Sequence, residues 1–491
     1  MTEENIDRRK FLYNVGLAGA AGLMAPSISG LGHLEPFTRW AGAASSKNTE
    51  PSWLDKSPAE CPVDTVVALV LENRSFDHML GWLSTDEKYM EEGKRRYGKQ
   101  FKIAASNDEK YRNRKGQLVS TFPITAANTD GNPERLCGYT TNPGHGWYTG
   151  RLTAKKGFLA PPKNELNAIA YYRADDVSVY AELARRFSVS DHHFCAVMGE
   201  TMPNRQYFMS ATSNGAKDNP TVTSPGMWTQ PTIFDQLTAA NIPCRSYYTD
   251  LPISLLYTGA VSENTVSMNR YYEDAAAGTL PAYSVLEPSF EGPNKANAEW
   301  PGDINNAQAM IQSVLDALMQ SPQWERSLFV LIHDDWGGFY DHVAPTNFPD
   351  QRSSKNNNKD FGYSGFRTPA LAVSPWVKRG QVSHQVQDHV AVLRFLQWRF
   401  LGAPAQGPGR GRGSKWWLNK RNRYASNFGS VLTATSVDPD PEFDLQRKLP
   451  PVSPTCSGLP VNTNEPTHSP TFRELMNRSY PPAEQPWLGL A

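Results

Sequence analysis

Glu72-Asn73 and Asp334-Asp335 each place two oxygen-bearing side chains directly after a hydrophobic run. Adjacent carboxylates repel, and holding them at the end of a buried strand is costly unless a cation compensates, so the two pairs together read as a metal-ligand set. Either pair alone would read equally well as a helix cap beside a solvated acid. Hard oxygen donors without cysteine suit Ca²⁺, Mg²⁺ or Mn²⁺, and carboxylates do not exclude Zn²⁺. A third segment, Gly199-Glu200-Thr201-Met202-Pro203-Asn204-Arg205, sets a hydroxyl two residues before a proline of the kind that opens helices. The N–H groups and dipole of a helix start favour a phosphate and stabilise an alkoxide. A metal-held Thr201 hydroxyl is then a competent nucleophile, so Thr201 is both a candidate ligand and the candidate attacking group. Asn204 and Arg205 are the candidate substrate-binding residues of this segment.

Of ten histidines, seven (His78, His145, His192, His193, His333, His342 and His389) fall within or beside the segments that carry these motifs. Phosphoryl transfer needs groups that bind equatorial oxygens and one that protonates the departing alkoxide, and imidazole serves either purpose near neutral pH. His145 lies between two glycines, which allows close access to a ligand, and is the leading candidate. His342 and His389 each follow an aspartate and come next, His342 as a catalytic residue and His389 as a substrate contact. His192 and His193 read as supporting or core residues.

The elements that must position these groups are strands that stop in carboxylates. Val63–Leu71 and Ser327–Ile332 are continuous apolar runs, the pattern of strands buried on both faces. Further strands are expected at Phe187–Val189, Arg245–Tyr248 and Ala370–Ser374, and helices at Val177–Arg186, Thr232–Ala240, Ala307–Met319 and Val390–Phe400. This alternation predicts an α/β fold, a doubly wound and mostly parallel sheet with helices on both faces, in which ligands collect at the carboxyl ends of strands. The polar stretches Thr85–Gly150 and Thr258–Ile304 are expected to roof the site or line its entrance. The expected organisation is an export signal over 1–43, a catalytic domain over 44–401 and an irregular extension over 402–491 packed on that same domain.

Charge, cysteine and the N-terminus narrow the setting. Equal counts of 49 basic and 49 acidic residues give no bulk field for nucleic acid. Five scattered cysteines make no disulfide framework and no C-x-x-C pair. Asp7-Arg8-Arg9-Lys10-Phe11-Leu12, the Gly/Ala-rich run Val15–Leu31 and Ala41-Gly42-Ala43 have the three parts of a twin-arginine signal. The twin-arginine machinery is thus an expected partner, and the expected location is periplasmic or secreted.

Glu72-Asn73-Arg74-Ser75-Phe76-Asp77-His78, Pro143-Gly144-His145, Thr201-Met202-Pro203-Asn204-Arg205, Asp334-Asp335-Trp336-Gly337-Gly338-Phe339-Tyr340-Asp341-His342, and Ser374-Pro375-Trp376 with Asp388-His389 occur in that order. Together they resemble the bacterial phosphoesterase family of hemolytic and non-hemolytic phospholipases C and Francisella-type acid phosphatases. The resemblance implies an alkaline-phosphatase-like fold, a metal at Glu72, Asn73, Asp334 and Asp335, a Ser or Thr nucleophile at the Thr201 position, and His145 and His342 near the phosphate. Relatives often carry His-Pro where this chain reads Trp300-Pro301, and usually Pro in place of Glu200. The expected function is an exported, metal-dependent phosphoesterase acting on phosphate esters such as phosphatidylcholine, with peripheral membrane contact. Phosphomonoester hydrolysis is the alternative, and a non-catalytic exported binding protein a minor one. Trp147, Tyr148, Tyr247, Tyr248 and Trp300 are aromatics able to box a choline ammonium, though each singly reads as core or rim.

Overall fold

The computed structural model describes residues 51–124, 142–220, 224–291, 295–299, 302, 304–409 and 416–437. The export signal, Trp300 and the end of the C-terminal extension lie outside the described residues.

Numbering only the strands of the main sheet, β1 is Thr65–Leu71, β2 Ser188–Ser190, β3 Cys244–Tyr248, β4 Thr265–Ser267, β5 Tyr283–Glu287, β6 Ser327–His333, β7 Ala370–Val373 and β8 Val382–Ser383. They are ordered β8-β2-β7-β6-β1-β5-β3-β4, and only β7 runs antiparallel to its neighbours. The fold is therefore mixed α/β around a mostly parallel eight-stranded sheet. Every residue of β1 and β6 is buried, as continuous apolar runs require when both faces are covered. Val66, Ala68 and Val70 join Leu328, Val330 and Ile332 in one core with the helices Ile233–Ala239 and Val390–Leu401. Val67, Leu69 and Leu71 join Phe329 and Leu331 in the opposite core, with the helices Ser178–Arg186 and Ile304–Gln320. Burying each such side chain contributes roughly 1.5–3 kcal/mol, so the two central strands are the firmest part of the scaffold.

The stretch Thr258–Ile304 is more than a roof: it supplies β4, the helix Asn269–Ala277 and β5, which is inserted between β1 and β3. Its polar look hid a strand because buried Glu287 is satisfied by the Ile253 and Ser254 N–H groups, at 2.8 and 3.0 Å. The described part of the C-terminal extension packs on the same body. Phe428, Val431 and Leu432 enter the core, and Arg421 donates to Asp388 and to the Ala196 carbonyl. Among the described residues no helix is long and apolar enough to cross a membrane.

Candidate active site

Strand register assembles the site. Leu71 is paired with His333, so the next residues, Glu72 and Asp334, leave the sheet side by side, joined by a 2.9 Å bond from Asp334 N–H to the Leu71 carbonyl. Asn73 follows at φ +45, a left-handed conformation that Asn tolerates better than most residues. The turn after Asp335 crosses closely above it. A Cβ on Gly337 would sit 2.2 Å from the Asn73 carbonyl oxygen, and one on Gly338 would sit 2.7 Å from Pro143. Glycine at both positions lets the Asp334-Asp335 turn, the Asn73 turn and the Pro143-Gly144-His145 segment meet.

Thr201 opens the helix Thr201–Ser210 and is itself buried. Its hydroxyl lies 2.9 Å from Glu72 Oε2 and 3.2 Å from Asn73 Oδ1. Asn73 Oδ1 in turn faces Glu72 Oε2 at 3.1 Å, Asp334 Oδ1 at 3.3 Å, Asp335 Oδ2 at 3.2 Å and Thr201 Oγ1 at 3.2 Å. Without a cation this amide is better turned over, its nitrogen donating to those oxygens; with a cation among them the oxygen belongs where it is. Burial and neighbouring carboxylates push Asp334 up to about 6, Asp335 to about 7 and Glu72 well above the usual carboxylate range, against the opposing pull of Arg205 on Glu72 and Asp334 and of His145 on Asp335. The cluster is short of positive charge. A donor set of three carboxylates, an amide oxygen and a hydroxyl fits a hard divalent cation.

Arg205, expected to contact substrate, instead sits behind this set. Its Nε donates to Glu72 Oε1 and Asp334 Oδ2, both at 3.0 Å, which leaves Glu72 Oε2 and Asp334 Oδ1 facing Asn73. Asn204 is likewise withdrawn. It accepts from Val197 N–H at 3.0 Å and donates to the Gly199 and Glu200 carbonyls at 3.0 and 3.1 Å, tying down the loop that presents Thr201. His389 is buried behind Asp334, 2.6 Å from its carbonyl oxygen, and burial pushes it down to about 4, so it is neutral. His342 is drawn elsewhere. Its Nδ1 meets Asp77 Oδ2 at 2.5 Å, within a network in which Arg367 donates to Asp77 and Asp341. These four lie within the motifs in sequence, but none of them lines the cavity.

His145 does reach the cavity. Its Nδ1–H donates to the Pro143 carbonyl at 2.8 Å, and Nε2 lies 3.9 Å from Asp335 Oδ2. Burial would lower its pKa, but the Asp335 and Glu200 carboxylates outweigh that and raise it to about 9, leaving a cationic acid at neutral pH. Glu72, Asn73, Thr201 and His145 share a cavity of about 570 Å³ whose walls include Met202, Leu251, Ile253 and Phe290. Glu299 was not legible as a site residue. It accepts from Asn73 and Asn142 and pairs with Lys295 at 3.1 Å; the one sequence signal beside it is Trp300-Pro301, where relatives often carry His-Pro. No box forms among the described aromatics: Trp147 is buried under Arg151, and Tyr247 is bonded to Asp274 inside the sheet.

A family model described as Phosphoesterase family matches residues 63–401. The chain belongs to the Phosphoesterase family. It is 30% identical over 412 residues to Non-specific phospholipase C5 of Arabidopsis thaliana, covering 78% of this chain and 77% of that one. It is 29% identical over 413 residues to Non-specific phospholipase C6 of the same plant, covering 80% and 76%. Against the Non-hemolytic phospholipase C of Pseudomonas aeruginosa it is 27% identical over 394 residues, covering 69% of this chain and 54% of that longer one. The crystal structure of a protein in the alkaline phosphatase superfamily from Vibrio parahaemolyticus matches with a TM-score of 0.28 at 14% identity, over 44% of this chain and 59% of that one, too distant to carry an argument. The protein is a phosphoric ester hydrolase of the phospholipase C type. Two further side-chain groups of this phosphoesterase, Asp77–Asp341–His342 and Asp191–His192–His384, also bring potential metal ligands together.

Proposed function

We propose that this chain is an exported, metal-dependent phospholipase C that cleaves phosphodiesters such as phosphatidylcholine through Thr201. The observation that carries the reading is the convergence of Thr201, Glu72, Asn73 and His145 on one cavity, with Asp334 and Asp335 oxygens meeting Asn73 beside it. Glu72, Asn73, Asp334, Asp335 and Thr201 would hold the divalent cation, which, when bound, offsets charge on the phosphoryl oxygens and lowers the pKa of a coordinated hydroxyl.

The chain's own residues supply the rest. Thr201 Oγ1 attacks phosphorus, and its proton passes to Glu72 Oε2, 2.9 Å away. The bond from phosphorus to the diacylglycerol oxygen breaks, and His145 protonates that oxygen, as a general acid must. Water then attacks the phosphothreonine and gives up a proton to His145, the bond from phosphorus to Thr201 Oγ1 breaks, Thr201 takes its proton back from Glu72, and the phosphorylated head group leaves. Glu200, Glu291 and Glu299 line the same cavity and disfavour a doubly charged monoester relative to a diester whose head group carries an ammonium.

The test compares turnover of nitrophenyl phosphocholine with that of nitrophenyl phosphate, before and after dialysis against a chelator. A diester preference that chelation abolishes is expected; preference for the monoester, or indifference to chelation, contradicts the reading. Export rests on the arrangement of Arg8-Arg9, the apolar run and Ala41-Gly42-Ala43. Replacing both arginines by lysine is expected to keep the protein in the cytoplasm, and undiminished export would contradict twin-arginine routing.

A further inference from the structure

Among the described residues, Leu118, Tyr148, Leu166 and Tyr424 are the large hydrophobic side chains left exposed, at 55%, 65%, 46% and 46%. Three of the four lie on segments that adjoin the lining of the catalytic cavity. Tyr148 lies two residues beyond Gly146, and Leu166 two residues beyond Asn164; both neighbours line the cavity. Leu118 belongs to a small hairpin in which it faces Arg112 across the ladder. That hairpin rests on the same rim: the Tyr111 ring packs edge-on against Phe158 with centroids 5.2 Å apart, and Arg114 donates to the Asn164 carbonyl at 2.9 Å. Strand alternation turns Val119 inward against the Phe158 core, so Leu118 projects outward.

Two of the segments around these residues are rich in cations although the whole chain is balanced. Stretches 110–118 and 155–163 carry seven Lys or Arg and no acid. Lys115, Lys156 and Lys163 among them are exposed. Asp108 and Glu109 precede the first stretch, and exposed Glu165, beside Leu166, follows the second. Leucine and tyrosine projecting from a cationic rim are the combination that holds a protein on an anionic bilayer, the apolar tips entering the interface while lysine and arginine meet the phosphates.

We propose that the rim formed by the hairpin Lys110–Ser120, the start of the helix Trp147–Lys156 and segment 161–166 docks on an anionic phospholipid surface, with the cavity mouth facing the lipid. This rests on the reading of the chain as a phospholipase C. Docking in this pose lets a head group reach Thr201 with little withdrawal of its acyl chains, and it explains why leucines are left bare beside a polar site.

The experiment uses the full chain, its L118S/L166S variant and its R112Q/K115Q/K156Q variant, none of which changes a residue lining the cavity. Cosedimentation is measured with vesicles of phosphatidylcholine containing phosphatidylglycerol and with phosphatidylcholine alone, and turnover of soluble nitrophenyl phosphocholine is followed in parallel. The expected result is preferential pelleting of the unmodified chain with the acidic vesicles. A loss of at least about tenfold in that affinity is expected for each variant, since each cation near an anionic surface and each buried methylene contributes measurably, with soluble turnover unchanged. Failure of the unmodified chain to pellet, or equal pelleting of the variants, overturns the proposal while intact soluble turnover keeps the phospholipase reading. Vesicle binding without diester turnover would reject that reading and leave the docking surface standing. A dimer in solution that the L118S/L166S variant dissociates would assign the face to a second copy and overturn the proposal.

Discussion

At the scale of single residues, position relative to a motif proved a weaker guide than the direction in which a side chain leaves the backbone. Glu72, Asn73, Thr201, Asp334, Asp335 and His145 were legible because strand ends and a helix start point their side chains to one place. Arg205 stands four residues after Thr201, one helical turn on, yet its guanidinium reaches back under the strand to the outer oxygens of Glu72 and Asp334. No spacing rule distinguishes a phosphate contact from such a brace. His342 was misplaced for a similar reason, because the sequence shows that it follows an aspartate but does not show that Asp77, far away in sequence, claims its ring. His145, in contrast, has its Nδ1 anchored on the Pro143 carbonyl, and its ring lines the cavity with Nε2 3.9 Å from Asp335 Oδ2. Replacing it by Gln is expected to lower kcat about 10²- to 10⁴-fold with little change in KM. Steady-state kinetics on the soluble diester checks this, and a pure KM effect would reduce His145 to a binding residue.

Elements were legible where one physical cause acted alone. β1 and β6 announced themselves because both faces are apolar and both strands stop in charge, and the flanking helices showed through their 3,4 spacing. β5 did not, since Ser284 and Glu287 are buried in it and the Glu287 carboxylate finds partners only once the distant segment that carries Ile253 and Ser254 has folded. The turn Asp341-His342 also depends on a distant element, the short helix Phe76–Leu80 that carries Asp77. Burial alone would raise the pKa of Asp77, but Arg367 and His342 outweigh it and hold it below the usual carboxylate range. A folded pKa below the unfolded one stabilises above the unfolded value, and that contribution disappears as pH falls through the folded value. Asp77→Asn leaves the buried Arg367 short of one partner, so it is expected to cost about 3–5 kcal/mol at neutral pH. The gap to the unmodified protein should narrow on acidification, as read by denaturant unfolding at several pH values. A gap that does not change with pH would show that Asp77 acts through packing rather than through charge.

For the molecule as a whole, zero net charge concealed two opposite local fields, an acidic floor at the catalytic centre and a basic rim around its mouth. The floor makes stability depend on the cation. Three buried carboxylates with raised pKa values, braced by Arg205, should fold more firmly once a divalent ion joins them. At a hundredfold excess over its dissociation constant the ion adds about 2.7 kcal/mol, and a rise in Tm of several degrees on adding Mn²⁺, Mg²⁺, Ca²⁺ or Zn²⁺ to chelated protein is expected. A Tm indifferent to all four would argue against a metal at these oxygens. The most direct test of the catalytic account is the rate of nitrophenyl phosphocholine hydrolysis by Thr201→Val in the presence of the activating cation, with folding verified by Tm. The expected result is a fall of at least about 10³-fold in kcat, as loss of a nucleophile demands. Retention of full activity would contradict attack by Thr201.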